Sequence, residues 1–240
     1  MNVDGEVKSL ILQALRGNAL DIHDVDAGEE PFLYASGNWG PGYVMVKALV
    51  GWKDILKALV MGLAMKVVKE IPDLKFVAGN VSGGVVPGWI LSECLEGLFR
   101  RPVPFVYIRD SRKKGGQKEL ITGIKDNPHI PLGSKGLVVE ELVNFSDTTC
   151  NSAVALRSAG YNATHGACIL FYENPKGIEA LRNHEVKMIN LFTLSDMLDV
   201  AEEHETHPLH LIKAYRNFLR DPLGWQAERG LKRVETGGTK

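Results

Sequence analysis

Neither sign of charge is in excess in this chain. Twenty-eight lysines and arginines stand against 29 aspartates and glutamates, a net charge of -1. Without a global basic field, nucleic acid and anionic membrane are disfavoured as main partners, and any anion has to be bound by local geometry. Cysteine is scarce as well. Cys94, Cys150 and Cys168 are widely spaced and form no CxxC pattern, so neither a disulfide framework nor a zinc knuckle is indicated, and a reducing cytosol is the simplest home. No apolar run reaches the length of a membrane span. The acids Asp4 and Glu6, and the lack of a small-residue cleavage site, argue against a signal peptide. Internal repeats and low-complexity linkers are also missing.

What the chain does have is 240 residues of 45% hydrophobic content, enough for one large core. A single domain over 1–235 is expected, with a frayed tail at 236–240. Within "GWKDILKALVMGLAMKVVKE", apolar side chains recur by threes and fours from Trp52 to Val68, which predicts a helix with one buried face. "KFVAG" then reads as a strand and "PGWILSECLEGLF" as a helix starting near Pro87. "VPFVYI", "GLVV", "ACILF" and "VKMINL" are further apolar strands, and "NSAVALRSAG" is a helix closed by Gly160.

Strands that alternate with helices and are apolar on both faces predict an α/β fold with a mainly parallel sheet covered on two sides. Segments outside that core (51–194) are a turn-rich N-terminal hood (1–50) and a helical tail (195–235), in which Ser195 is expected to cap "SDMLDVAEE". Ligands in such sheets sit beyond the carboxyl ends of the strands, which directs attention to loops 79–84, 109–123 and 140–149.

In "AGNVSGGVV", Gly79, Gly83 and Gly84 allow backbone N–H groups to converge on an anion, although neither a dinucleotide fingerprint nor a Walker loop fits and a ligand-free turn has the same spelling. "YIRDSRKKGGQKELITG" gathers Arg109, Arg112, Lys113, Lys114 and Lys118 around two glycines. It reads as a basic flap ordered by an anion, or as a solvated loop. Glu140 and Glu141 at a strand end suit ribose hydroxyls or the waters of a magnesium ion. Adjacent strand residues face opposite ways, so both serve one ligand only if the strand has ended. His204, His207 and His210 are spaced by three, but Pro208 interrupts them and no carboxylate completes a zinc site.

In order, "PFLYASGNWGPGY", "VAGNVSGGVVPGW", "FVYIRDSRKKGG", "LVVEELVNFSDTT" and "LSDML" resemble the elements of type I phosphoribosyltransferases, the orotate branch most closely. The resemblance runs from about Pro31 to Trp225. It implies that family's fold and a Mg2+-dependent transfer of ribose 5-phosphate from phosphoribosyl diphosphate to a pyrimidine base such as orotate, in a homodimer. It further implies that Arg109 and Lys113 are catalytic contacts to the diphosphate. Val81, Ser82, Gly83, Gly84, Lys114, Glu140, Glu141, Asn144, Ser146, Thr148 and Thr149 would bind phosphoribosyl diphosphate, with Glu140 and Glu141 also reaching the metal through water. Phe32, Ser36, Gly37 and Tyr172 would lie on the base side.

Departures fall on the chemistry. Glu141 adds a methylene to the second acid of the pair, and Gly115 stands where the flap usually carries histidine. Asn144, Phe145, Ser146 and Asp147 replace a loop that is typically threonine, any residue, glycine and a small residue. Asp147 is expected to cap the following helix in place of a phosphate. Three functions therefore remain open: an active orotate enzyme, a catalytically silent protein that binds a nucleotide, sugar phosphate or protein, and an enzyme with another acceptor base, since Tyr172 and Glu173 stand where some relatives have Asp-Arg.

Overall fold

The computed structural model describes residues 4–34, 36–109 and 119–234. Helix α1 (Gly5–Arg16) leads into a hood of short strands: β1 (Leu20–Ile22), β2 (Phe32–Leu33), β3 (Trp39–Gly40) and β4 (Gly42–Val44), paired antiparallel as β1 with β4 and β2 with β3. A 3-10 turn at Val46–Gly51 then enters α2 (Lys53–Glu70), whose apolar row buries Leu56, Leu59, Val60, Leu63 and Val67 as its spacing requires. The core continues through β5 (Phe76–Asn80), α3 (Val85–Phe99), β6 (Phe105–Ile108), β7 (Ile121–Thr122), β8 (Lys135–Val143), α4 (Asp147–Ser158), β9 (Asn162–Phe171), α5 (Pro175–Asn183) and β10 (Lys187–Thr193). Helices α6 (Leu194–Glu203), α7 (Leu209–Arg220) and α8 (Pro222–Glu228) form the tail.

The central sheet has the order β10-β9-β8-β5-β6-β7, parallel except for β7. Every residue of β5 is buried, as a central strand covered on both faces demands. One face carries α1, α2, α3 and α6, whose Leu59, Leu63, Leu91, Leu95 and Met197 share a core with Val77, Leu137 and Val139. The other carries α4 and α5, through Ala153, Leu156 and Leu181, against Phe76, Ala78 and Val138. From β5 the chain builds outward to β6 and β7, crosses back to β8, and builds outward the other way. The strand order therefore reverses between β5 and β8. The loop after β5 leaves towards α3 on one face and the loop after β8 towards α4 on the other, so a crevice opens between them at the carboxyl ends.

Several boundaries differ from the sequence expectation. Helix α3 starts at Val85, with Pro87 in its first turn rather than at its head. The polar segment before Ser134 contains β7, too short to show any periodicity. The cap of α6 is Thr193, not Ser195: its hydroxyl accepts from Asp196 N while Asp196 Oδ2 accepts from Thr193 N, a reciprocal capping box. His207 and His210 pin the tail to the hood, through the Leu20 carbonyl at 3.2 Å and Asp24 at 3.0 Å. Among the described residues no helix is long and apolar enough to cross a membrane.

Candidate active site at the β5–β8 crevice

The loop after β5 is held tightly at its base. Val81 N donates to the Ile108 carbonyl at 2.9 Å, Gly84 N to the Asn80 carbonyl at 2.9 Å, and the Val81–Ser82 peptide is cis. Val81 and Ser82 are exposed, whereas Gly84 is buried against the backbone of Val139 in β8. A side chain at Gly83 would meet the Glu141 carboxylate. The second acid of the pair thus lies directly on the glycine-rich loop.

Strand β8 does not end before the acids; it runs on to Val143. Glu140 and Glu141 accordingly leave on opposite faces. Glu140 Oε1 accepts from Asn80 Nδ2 at 2.7 Å. Glu141 is half-buried, and desolvation raises its pKa above the ordinary glutamate value, with its own backbone N–H and Lys47 acting in the opposite sense. Lys47, in the 3-10 turn after the hood, is a cation beside the site that its sequence context does not mark.

The sign of the resulting pH dependence follows from which state holds the proton more tightly. A carboxyl with a raised folded pKa binds its proton better in the folded chain, so its contribution is fully present below the unfolded value of about 4.3 and is lost as pH rises through the folded one. Glu141→Gln is expected to raise the melting temperature near neutral pH, with the gap to wild type closing as pH falls towards about 4. Thermal melts across that range check it; a gap that widens in acid would contradict the assignment.

The loop after β8 keeps an unusual backbone. Ser146, at the position where the resembled motif has glycine, adopts φ +67°, a left-handed conformation that favours glycine. The loop rests on α5, where a side chain at Gly177 would strike the Asn144 carbonyl, and Asn174 Nδ2 donates to Asn144 Oδ1 at 3.2 Å. Asp147 does not cap α4. Ser146 stands at the N-cap without a side-chain bond, and Asp147 is the first helical residue, its side chain exposed beside exposed Thr148. The reason is the left-handed turn at Ser146, which brings the chain into helix one residue earlier than a cap at 147 would allow. Ser146 Oγ and Thr149 Oγ1 are buried and have no hydrogen-bond partner among the described residues. Phe145 points outward, 47% exposed.

Arg109 stands at the end of β6, its N–H bonded to the Leu120 carbonyl and its Nη2 2.9 Å from the Tyr107 hydroxyl. Its Nε is buried without a partner among the described residues. Lys113 and Lys114, with the rest of 110–118, lie outside the described residues.

On the hood, Phe32 packs against His23 at 4.0 Å between centroids. Residues 233 and 234 cover the neighbouring turn: Val234 N donates to the Gly37 carbonyl at 2.9 Å and Arg233 Nε to the Ser36 carbonyl at 3.0 Å. Tyr172 follows β9 and shares a hydrogen bond with the buried Tyr215; burial pushes its pKa up to about 12.

Phe32, Ser36, Gly37 and Tyr172 therefore belong to the hood and its packing against the tail. Val81 to Gly84, Glu140, Glu141, Asn144, Ser146 and Thr149 flank the crevice, with Arg109 on the neighbouring strand. Motif and spacing miss Lys47, Asn80 and Ser152. The one signal for Asn80 is a polar residue closing an otherwise apolar strand.

No family model matches the chain. The orotate phosphoribosyltransferase of Agrobacterium fabrum is 30% identical over 205 residues, which cover 84% of this chain and 84% of that protein. The enzyme of the same name from Streptococcus sanguinis is 26% identical over 199 residues, 83% of this chain and 90% of the relative. Among solved structures, the orotate phosphoribosyltransferase of Aeropyrum pernix superposes with a TM-score of 0.65 at 20% identity, over 83% of this chain and 99% of the other, and shares its fold.

Proposed function

We propose a reaction for this chain from one premise: it belongs to the orotate phosphoribosyltransferase family. The reaction is the transfer of ribose 5-phosphate from phosphoribosyl diphosphate to orotate, with release of pyrophosphate. The observation that carries this reading is the pair of buried, unpartnered hydroxyls, Ser146 Oγ and Thr149 Oγ1, at the start of α4. Each buried polar group left unsatisfied costs about 1–3 kcal/mol. The same helix end gathers free backbone N–H groups, a ready seat for a phosphate beside these two donors.

Cleavage at the anomeric carbon builds positive charge on the sugar while the diphosphate leaves with negative charge. Arg109, whose Nε lacks a partner among the described residues, and the backbone N–H groups of Ser82 and Gly83 stabilise the leaving group. Lys113 and Lys114 are assigned to the same task by the resemblance. Glu140 holds the ribose hydroxyls, whereas Glu141 leaves β8 on the opposite face, against Gly83 of the diphosphate loop. As an oxygen donor at the crevice Glu140 also fits Mg2+, which binds through one or two carboxylates and the substrate's own phosphates. When bound, Mg2+ neutralises charge on the diphosphate. Phe32, Ser36, Gly37 and Tyr172, which the resemblance puts on the base side, lie in the hood and its packing against the tail and receive no base contact in this reading.

A second reading, a protein that binds a nucleotide or sugar phosphate without turnover, is favoured by two carboxylates: Asp147 exposed at the first turn of α4, and Glu141 lying on the diphosphate loop. Calorimetry with phosphoribosyl diphosphate and Mg2+, followed by a spectrophotometric orotate assay, separates the two. Binding with orotate consumption is the expected result. Binding alone supports the second reading, and no binding overturns both.

Assembly as a homodimer belongs to the same proposal. Trp52, Met61 and Met65 of the α2 region and Val86 and Trp89 of α3 are exposed, on two helices that pack side by side. Burial of these side chains against a second copy is the use this reading gives them. Light scattering at micromolar concentration is expected to give the mass of two chains, and a monomer mass rules this out.

A further inference from the structure

We propose that Asn80 and Ser152 are positioning residues that fix the orientation of Glu140, and through it the preference for a ribose over a deoxyribose. The proposal rests on the reading of Glu140 as a ligand of the ribose hydroxyls. Asn80 is the last residue of β5 and only 2% exposed. An amide buried so deeply is tolerated only if both ends are bonded. Both are: Nδ2 donates to Glu140 Oε1 at 2.7 Å, and Oδ1 accepts from Ser152 Oγ at 2.6 Å. Ser152 is itself buried, on α4.

The chain of bonds runs in one direction only. The serine hydroxyl gives its single proton to Oδ1, which leaves the amide N–H group facing the carboxylate. Turned over, the amide would set an oxygen against the carboxylate and leave the hydroxyl without its acceptor. Glu140, which only accepts, therefore sets the amide orientation, and Ser152, donating to the amide oxygen, holds the amide in place against the glutamate.

The three residues sit on three different elements. Asn80 closes the strand that carries the diphosphate loop, Glu140 lies on the strand that leads to the phosphate loop, and Ser152 is on the helix that the phosphate loop begins. A glutamate side chain on β8 alone would sample several rotamers. Bonded through Asn80 to Ser152, its carboxylate is held relative to both anion loops. Preorganisation of this kind matters for binding because little rotamer freedom is left to lose when the ligand arrives. Packing gives no reason for the polar chain, since a matched set of apolar residues at these positions would stabilise the core about as well.

The test is calorimetry with ribose 5-phosphate and with 2-deoxyribose 5-phosphate, on wild type, Ser152→Ala, Ser152→Thr and Asn80→Ala. Wild type is expected to prefer the ribose compound by roughly tenfold, the worth of one hydrogen bond to a charged group. Ser152→Ala should reduce that preference to less than about threefold while leaving the deoxy affinity in place, and Ser152→Thr, which keeps the hydroxyl, should restore it. Should Asn80→Ala fail to fold, Ser152→Ala carries the test, since it removes a single oxygen. A variant that weakens both sugars alike, or keeps the full preference, overturns the positioning role. A wild type without preference, or without binding, overturns the assignment of Glu140 and this proposal with it.

Discussion

Gly84→Ala is expected to lower the melting temperature by roughly 5–10 °C and to abolish measurable binding of phosphoribosyl diphosphate. Gly84 has φ -79°, open to any residue, so its requirement is for space rather than conformation. A β-carbon there would fall on the Val139 carbonyl oxygen and close to the Asn80 N–H, both backbone atoms of central strands that no rotamer change can move. Accommodation means lifting the β5–α3 turn away from β8. Overpacking of a close-packed interior costs about 1–3 kcal/mol, and a chain of this size loses about 2–4 °C per kcal/mol. The same displacement takes Gly83 off Glu141 and removes the loop from the crevice, so binding fails before the fold does. Gly97→Ala is the control: it lies exposed in α3 with nothing within 4 Å, and gains helix propensity. Thermal melts and calorimetry on both variants decide the matter. If Gly84→Ala melts with wild type, the close approach of β5 and β8 is wrong.

That close approach is partly legible in the amino-acid sequence. Continuous apolar runs at 76–79, 136–139 and 167–171 read as strands covered on both faces, and they specify the sheet. Their order across it follows only from the resemblance. The box at Thr193 is also written in the sequence, as a threonine three residues before an aspartate, but Ser195 stands closer to the apolar run and competes for the same role. Asn80, Ser152 and Glu140 are illegible as a unit, because their bonds join residues 60 and 72 apart in the chain. Ser146 shows a different limit. Replacing a glycine reads as disabling for the phosphate loop, yet the backbone takes up the left-handed turn regardless, held from below by α5 at Gly177 and Asn174. Local propensity is overruled by packing that no spacing announces. The same turn moves Asp147 from the cap to the first helical position, which changes what that residue is expected to do.

At that position Asp147 weakens, but does not replace, an anion at the start of α4, and Asp147→Asn is expected to tighten binding of phosphoribosyl diphosphate by about ten- to a hundredfold. Two unit charges 4 Å apart repel by about 1 kcal/mol in bulk water and about 4 kcal/mol at an effective dielectric near 20. An exposed carboxylate beside a half-buried phosphate falls between these limits, and each 1.4 kcal/mol is about tenfold in affinity. The carboxylate has a use in the empty protein, where it complements the positive end of the α4 dipole. Its loss should therefore lower stability by about 0.3–1 kcal/mol in the absence of ligand. Opposite signs for stability and for binding distinguish this from a general loosening of the loop, which would reduce both. Calorimetry at two salt concentrations gives a further check, because a charge repulsion shrinks as salt screens it. Suppose wild type binds phosphoribosyl diphosphate at micromolar strength and Asp147→Asn binds it no more tightly. Asp147 would then face away from the phosphate, and the reading of a binder without turnover would lose its main support to that of a working transferase.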